Sequence, residues 1–345
     1  MYNLLLSIST LFTFCIQANA NADYLDYHRK IIKAEEMFIS DNIPEALHKY
    51  RDIFTTFKPF AKDCYIALEL SSFAGDTASL TFFLTKSFES GLSWTTINTI
   101  SKLQVLFSRY PQYQRQIKNT YDVRRPAYLA GINYFLRSSC LAMQRKDDAF
   151  HEMPHNWSTR DIRDSIYAGV LYENFTDFMK IVKKHGFPGE RTIGNFDAEL
   201  DGLTDNTMTF RFEPCVTMFF YHHACAYVFL KKELLDAVKS GEIHPRTYAL
   251  IYEWAPRDLN DESKDGGKTN LSRFYRSKCP LERQDKIYNL YIDHRQDSKD
   301  TARVNKDRAE IGISSLQHDE RKRAFARKNN MILFFGLFYG ERGTI

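Results

Sequence analysis

The chain has 345 residues, 43% of them hydrophobic and 14% aromatic, enough apolar material to bury a sizeable core and to divide into about two domains, which excludes a mainly disordered chain. Lys and Arg outnumber Asp and Glu by only 47 to 43, too even a balance for the concentrated basic face that binds nucleic acid, so no nucleic-acid partner is expected. With 15 Gly and 10 Pro beside 27 Phe and 20 Tyr, turn-rich β architecture is disfavoured and the fold class is expected to be mainly all-α.

Residues 4–16 are apolar apart from Ser and Thr and run into Ala18-Asn19-Ala20 and Ala20-Asn21-Ala22. An apolar stretch followed by small residues at that spacing is the pattern of a secretory leader. Residues 1–22 are therefore expected to be a signal peptide, and the mature protein to be exported, periplasmic or extracellular. No Lys or Arg precedes Leu4, and Phe14 occupies the place where lipid attachment at Cys15 requires a small residue, so lipid anchoring is not expected. No later stretch nears the roughly 20 uninterrupted apolar residues of a membrane span. Beyond the leader, Cys64, Cys140, Cys215, Cys225 and Cys279 are odd in number and widely scattered, with no Cys-x-x-Cys. They read as buried thiols rather than a disulfide framework, Cys215 with Cys225 being the pair that a fold-back would join.

Residues 23–150 read as consecutive helical hairpins. Tyr27, Ile31, Ala34, Met37 and Phe38 recur at helical spacing until Ser40-Asp41-Asn42 breaks the run, and Pro44 opens the next helix, where its missing N–H costs nothing. That helix runs through Ala46, Leu47, Tyr50, Ile53 and Phe54 and stops before Lys58-Pro59; a third spans 60–73 and ends at Ala74-Gly75-Asp76, and a fourth spans 78–88. Paired helices with short polar turns and a small Ala46 at the close approach resemble a degenerate tetratricopeptide-like array over residues 24–92. Helices are also expected over 94–106 and 127–143, separated by Tyr110-Pro111 and the charged stretch Asp122 to Pro126. Asp147, Asp148, His151, Glu152, Pro154 and His155 cluster without apolar periodicity, which predicts a surface linker and a domain boundary near 147–158.

The second module is expected over 158–320. A helix from about 165 to 184 meets His185-Gly186-Phe187-Pro188-Gly189, where Gly186 suits a left-handed cap and Pro188 stops the helix. Then follow Thr192-Ile193-Gly194, an apolar helix through Val216, Phe219, His222, His223 and Cys225, the segment Ala237-Val238-Lys239-Ser240-Gly241-Glu242, and a helix begun by Pro245. Residues 256–280 are polar enough for a long loop. Residues 321–345 form a basic then apolar tail: Arg321-Lys322-Arg323 reads as a solvated helix face because Asp319 and Glu320 stand beside it, and the run from Met331 to Tyr339 is too apolar to remain exposed.

Gly-Phe-Pro with a downstream Gly, a His in an apolar helix, Ala-Val-x-x-Gly-Glu, Tyr-Ala and the stretch Val304 to Gly312 occur in an order that resembles a bacterial domain-of-unknown-function family, whose members are often exported. The resemblance covers residues 165–316 and implies a helical fold. It carries no reaction, and it marks Gly186, Pro188, His222 or His223, Gly241, Glu242 and Arg308 as positions of interest.

His222, His223, Glu242 and His244, with Cys225, are residue types that bind zinc or move protons, and they are the candidate site residues. Adjacent histidines on a helix point about 100° apart, so at most one of His222 and His223 faces a common site, unlike the two histidines of His-Glu-x-x-His. Phosphate loops, Gly-x-Ser-x-Gly elbows and dinucleotide fingerprints are absent from the sequence, and no cofactor is expected. Two functions follow. The favoured one is an exported interaction protein that holds a protein or peptide on the hairpin surface, without enzymatic activity. The alternative is a small hydrolase or metal-dependent enzyme that uses the His and Glu residues of the second module.

Overall fold

A computed structural model describes residues 23–151, 160–201, 212–222, 224–260 and 301–334. The expected leader, His223, Cys279 and the end of the apolar tail lie outside the described residues. The protein is all-α; among the described residues the one β-type contact is an isolated antiparallel bridge between Asn195 and Pro214. No described helix is long and apolar enough to cross a membrane.

Helices α1 (Tyr24–Ile39), α2 (Ile43–Thr56), α3 (Ala61–Ala74) and α4 (Thr77–Glu89) follow the sequence pattern closely. Asp23 starts α1 by accepting the Leu25 N–H at 2.9 Å, and Asp76 starts α4 by accepting that of Ser79 at 3.0 Å. Gly75 ends α3, where the sequence pattern places the helix end, and does so in the left-handed conformation, φ +67°. α1 turns Tyr27, Ile31, Ala34 and Phe38 onto α2, whose Ala46, Leu47, Tyr50, Ile53 and Phe54 face back. α3 differs, because every residue from Ala61 to Ser71 is buried, Lys62, Asp63 and Glu69 included. A helix enclosed on all sides must find partners for such groups or hold them neutral.

Residues 94–106, expected as one helix, form the short α5 (Trp94–Ile97) and then α6 (Ser101–Arg109), because the Asn98 to Ile100 segment interrupts them. The stretch Asp122 to Pro126, expected as a break, is helical instead: α7 runs from Pro111 to Ala130 with Pro126 inside it. Tertiary contacts override the proline there. Arg125 is buried, pairs with Asp197 and donates to the Gly91 carbonyl oxygen, which pins this part of the helix.

α8 (Tyr134–His151), α9 (Arg160–His185), α10 (Glu190–Ile193), α11 (Ala198–Asp201), α12 (Val216–His222), α13 (Ala224–Ser240) and α14 (Pro245–Asn260) build the second half, and α15 (Thr301–Glu310) and α16 (Leu316–Asn329) follow. Gly186 takes φ +78° after α9, the cap expected of it. Two hydrophobic clusters organise the chain. One comprises buried residues from Tyr24 to Tyr121 and the other those from Leu136 to Tyr252. The packing therefore divides between α7 and α8, earlier than composition suggested, because Leu136, Cys140 and Met143 give α8 an apolar stripe that faces the second cluster. Asp147, expected in a surface linker, is buried within α8.

The C-terminal region crosses back. Phe325, Ala326, Met331, Leu333 and Phe334 complete the first cluster, with Phe38 and Phe325 rings 5.2 Å apart. Each large side chain buried this way contributes roughly 1.5–3 kcal/mol. These five residues are thus part of the core of the hairpin region, and Lys322, expected on a solvated face, is buried.

A polar cleft between the two clusters

Of the four residues singled out by sequence, His222 closes α12 and His223 lies outside the described residues. Glu242 and His244 are described fully and have different duties. After α13, Gly241 turns the chain at φ +78°. The Glu242 carboxylate then accepts the backbone N–H groups of Gly189, Arg191 and Thr192 at 3.1, 3.2 and 3.1 Å, and the Thr192 hydroxyl at 3.0 Å. These amides stand at the start of α10, where those of Gly189 and Thr192 also reach the Phe187 and Gly189 carbonyl oxygens, so Glu242 is a helix-capping anchor with its oxygens committed. The family-like glycines have matching reasons: a Cβ on Gly189 would run into the Glu242 backbone, and one on Gly241 would meet Arg191 and Tyr24 at 2.7 Å.

His244 stands just before Pro245 at the start of α14, where its Nδ1 accepts the Arg246 N–H at 3.2 Å. Its ring meets that of His28 edge to face at 5.0 Å, and that of Phe60 at 5.3 Å. His28 comes from α1 and Asp63 from the buried α3. One ligand-type atom from each of His28, Asp63 and His244 lies within 4.8 Å of the other two. Sequence reasoning thus found one of the three residues that converge. Glu242 and the exposed His185 are not among them.

The three groups line a cavity of about 40 Å³ at the junction of α1, α3, α14 and residues 312–314, room for about three water molecules. His244 and Arg246 are partly exposed, so the cavity reaches solvent. Burial, reinforced by Arg191 and Arg246, lowers the His28 pKa to about 3. Burial, with Lys62 nearby, holds His244 well below the usual histidine range. Both imidazoles are therefore neutral at pH 7. Burial raises Asp63 to about 6, although the Tyr27 hydroxyl donates to its Oδ2 at 2.6 Å. Two neutral imidazoles and a carboxylate are the groups that proton transfer and first-row metals both use.

Ion pairs that join the two halves surround the cavity. Lys62 of α3 pairs with Glu213 and donates to the Thr247 hydroxyl at 3.1 Å. Lys322 of α16 pairs with Glu35 of α1, which also meets His318 Nε2 at 3.0 Å. Burial works to raise Glu35, but Lys322 and His318 outweigh it and bring the carboxyl down to about 2. Arg246 and Arg308 both pair with Asp319, holding that carboxyl far below its usual range against the effect of burial. Arg308, marked by the family resemblance, is 1% exposed and also donates to the Ser314 carbonyl oxygen at 2.6 Å. The signals missed in the sequence were the charged Lys62, Asp63 and Glu69 within the largely apolar α3 and His28 on the same face as Ile31.

Comparison of the chain with protein-family models, with characterised proteins and with solved structures finds no match in any of the three.

Proposed function

We propose that this chain acts on a small polar molecule at the cleft between its helical clusters, as a small hydrolase, in preference to holding a peptide on the hairpin array. The observation that carries this reading is the convergence of His28, Asp63 and His244 at a cavity that reaches solvent. A peptide on the inner side of the hairpins is disfavoured because Phe325, Met331, Leu333 and Phe334 of the same chain already pack into the hairpins' buried cluster. In this reading the narrow cavity holds a reactive water and the substrate lies at its mouth, beside the half-buried His244 and Arg246. Export through residues 1–22, the tetratricopeptide-like character of residues 24–92 and kinship with the bacterial domain-of-unknown-function family belong to the same proposal. They rest on the residue patterns alone.

The test is turnover by the purified full-length chain of chromogenic carboxylic esters, phosphate esters and amides. Hydrolysis of one class is expected, lost in His244→Asn and retained in His48→Ala, whose side chain is 68% exposed on α2. Absence of turnover across all three classes sinks the hydrolase reading.

A further inference from the structure

We propose that His28, Asp63 and His244 bind one divalent transition-metal ion, of which zinc best matches the donor set, and that the ion clasps α1, α3 and α14 together. The inference rests on reading the same cleft as the working site. It adds a bound metal to that reading.

Donor placement is the first support. The three ligand-type atoms lie within 4.8 Å of one another, while a tetrahedral zinc with bonds of about 2.0–2.2 Å holds its ligands roughly 3.4 Å apart. Shifts of about an ångström in each donor bring them to that spacing.

Two unsatisfied groups supply the second support. His28 is 2% exposed, yet its Nε2 has no hydrogen-bond partner. An orphaned, deeply buried ring nitrogen is destabilising unless something fills its place. Asp63, also 2% exposed, accepts from Tyr27 and forms no ion pair among the described residues. Its neighbours are treated differently: Glu35 has Lys322, Glu213 has Lys62, and Asp319 has Arg246 and Arg308. The four cations Lys62, Lys322, Arg246 and Arg308 thus contact three carboxylates, Asp319 taking both arginines, and among the described residues Asp63 has no cation in direct contact. A divalent ion in the cavity would give it one.

The surroundings fit a ligand role. Tyr27 engages Oδ2 of Asp63, which orients the carboxylate and leaves Oδ1 for the metal, as outer-shell donors do in metal sites. Without metal, the Arg246 N–H fixes the His244 proton on Nε2. Metal binding at Nε2 moves that proton to Nδ1 and gives up the 3.2 Å cap. The exchange gives up one backbone hydrogen bond for a metal–nitrogen bond, which is the stronger of the two. Three protein ligands leave a fourth position for water, the arrangement of catalytic rather than structural zinc.

The experiment titrates chelator-stripped full-length protein with Zn²⁺ in competition with a chromophoric chelator, and with Co²⁺ followed by visible absorption. One equivalent of each ion is expected, Co²⁺ giving the intense bands of a tetrahedral site. Asp63→Asn and His244→Asn should each weaken binding at least about 100-fold, and Tyr27→Phe by about 10–100-fold. His48→Ala and a His222→Ala/His223→Ala double variant should bind as the parent does. The Asn at position 244 still caps α14, so it decides the matter if the Asp63 variant fails to fold by circular dichroism. Absence of saturable binding overturns the inference, as does binding that survives His244→Asn or is lost in the His222/His223 variant. Turnover without metal sinks the metal site alone, and metal without turnover sinks the hydrolase reading alone.

Discussion

Glu69 tests whether burial of α3 governs stability as the structure implies. It is 5% exposed, and burial raises its pKa from 4.5 to about 7, opposed by Lys102 and by the Ile332 N–H. Between those two values the folded protein holds a proton that the unfolded chain has released. Stability therefore falls as pH rises through the window from 4.5 to about 7 and is level outside it on this group's account. The shift corresponds to a ceiling of about 3 kcal/mol at pH 8. Glu69→Gln keeps the shape and removes the charge, but it also leaves Lys102 without its neighbouring carboxylate. Lys102 retains its bond to the Asn329 carbonyl oxygen at 3.0 Å and its place over the Phe73 ring at 4.3 Å. The expected gain is thus about 1–3 kcal/mol at pH 8.5 and close to zero at pH 4.5, read from urea unfolding at both pH values. Glu190, raised by burial to about 7, and Asp63 add slopes of the same sign to both proteins. The comparison of variant with parent isolates Glu69. Parallel stability curves, or a glutamine variant less stable at pH 8.5, would refute the reasoning.

Three further outcomes follow from the contacts. Glu242→Ala removes the acceptor shared by the amides at the start of α10 and should cost about 2–3 kcal/mol in chemical unfolding while leaving the metal stoichiometry unchanged; lost binding in a folded variant would return Glu242 to the site. Gly189→Ala forces a Cβ onto the Glu242 backbone and should lower stability by at least about 2 kcal/mol, measured by thermal unfolding. Lys62→Met leaves Glu213 charged and buried beside Thr247, and should cost about 3–5 kcal/mol at pH 8, with partial recovery in a Lys62→Met/Glu213→Gln double variant. An additive double mutant would show that the two side chains are not coupled.

Much of the local structure was legible because it depends on neighbours in the chain. Gly75 was readable as a helix end, Gly186 as a left-handed cap, Pro44 and Pro245 as helix starters, and the stripe of Tyr27, Ile31, Ala34 and Phe38 as a buried face. Failures occurred where distant contacts outweighed local preference. Pro126 stays inside α7 because Arg125 is tied to Asp197 and Gly91, and Lys322 is buried because Glu35 awaits it 287 positions earlier in the chain.

The candidate site divides in the same way. The sequence by itself determined the helical class, the helix ends and the chemical types His244 and Glu242, because these follow from periodicity and from the hydrogen-bonding needs of single turns. Only the tertiary structure decided that Glu242 spends its oxygens on the amides of residues 189–192, while His244 meets His28 and Asp63 from helices near the opposite end of the chain. Two residues apart in sequence, they have different roles because folding brings different partners to each.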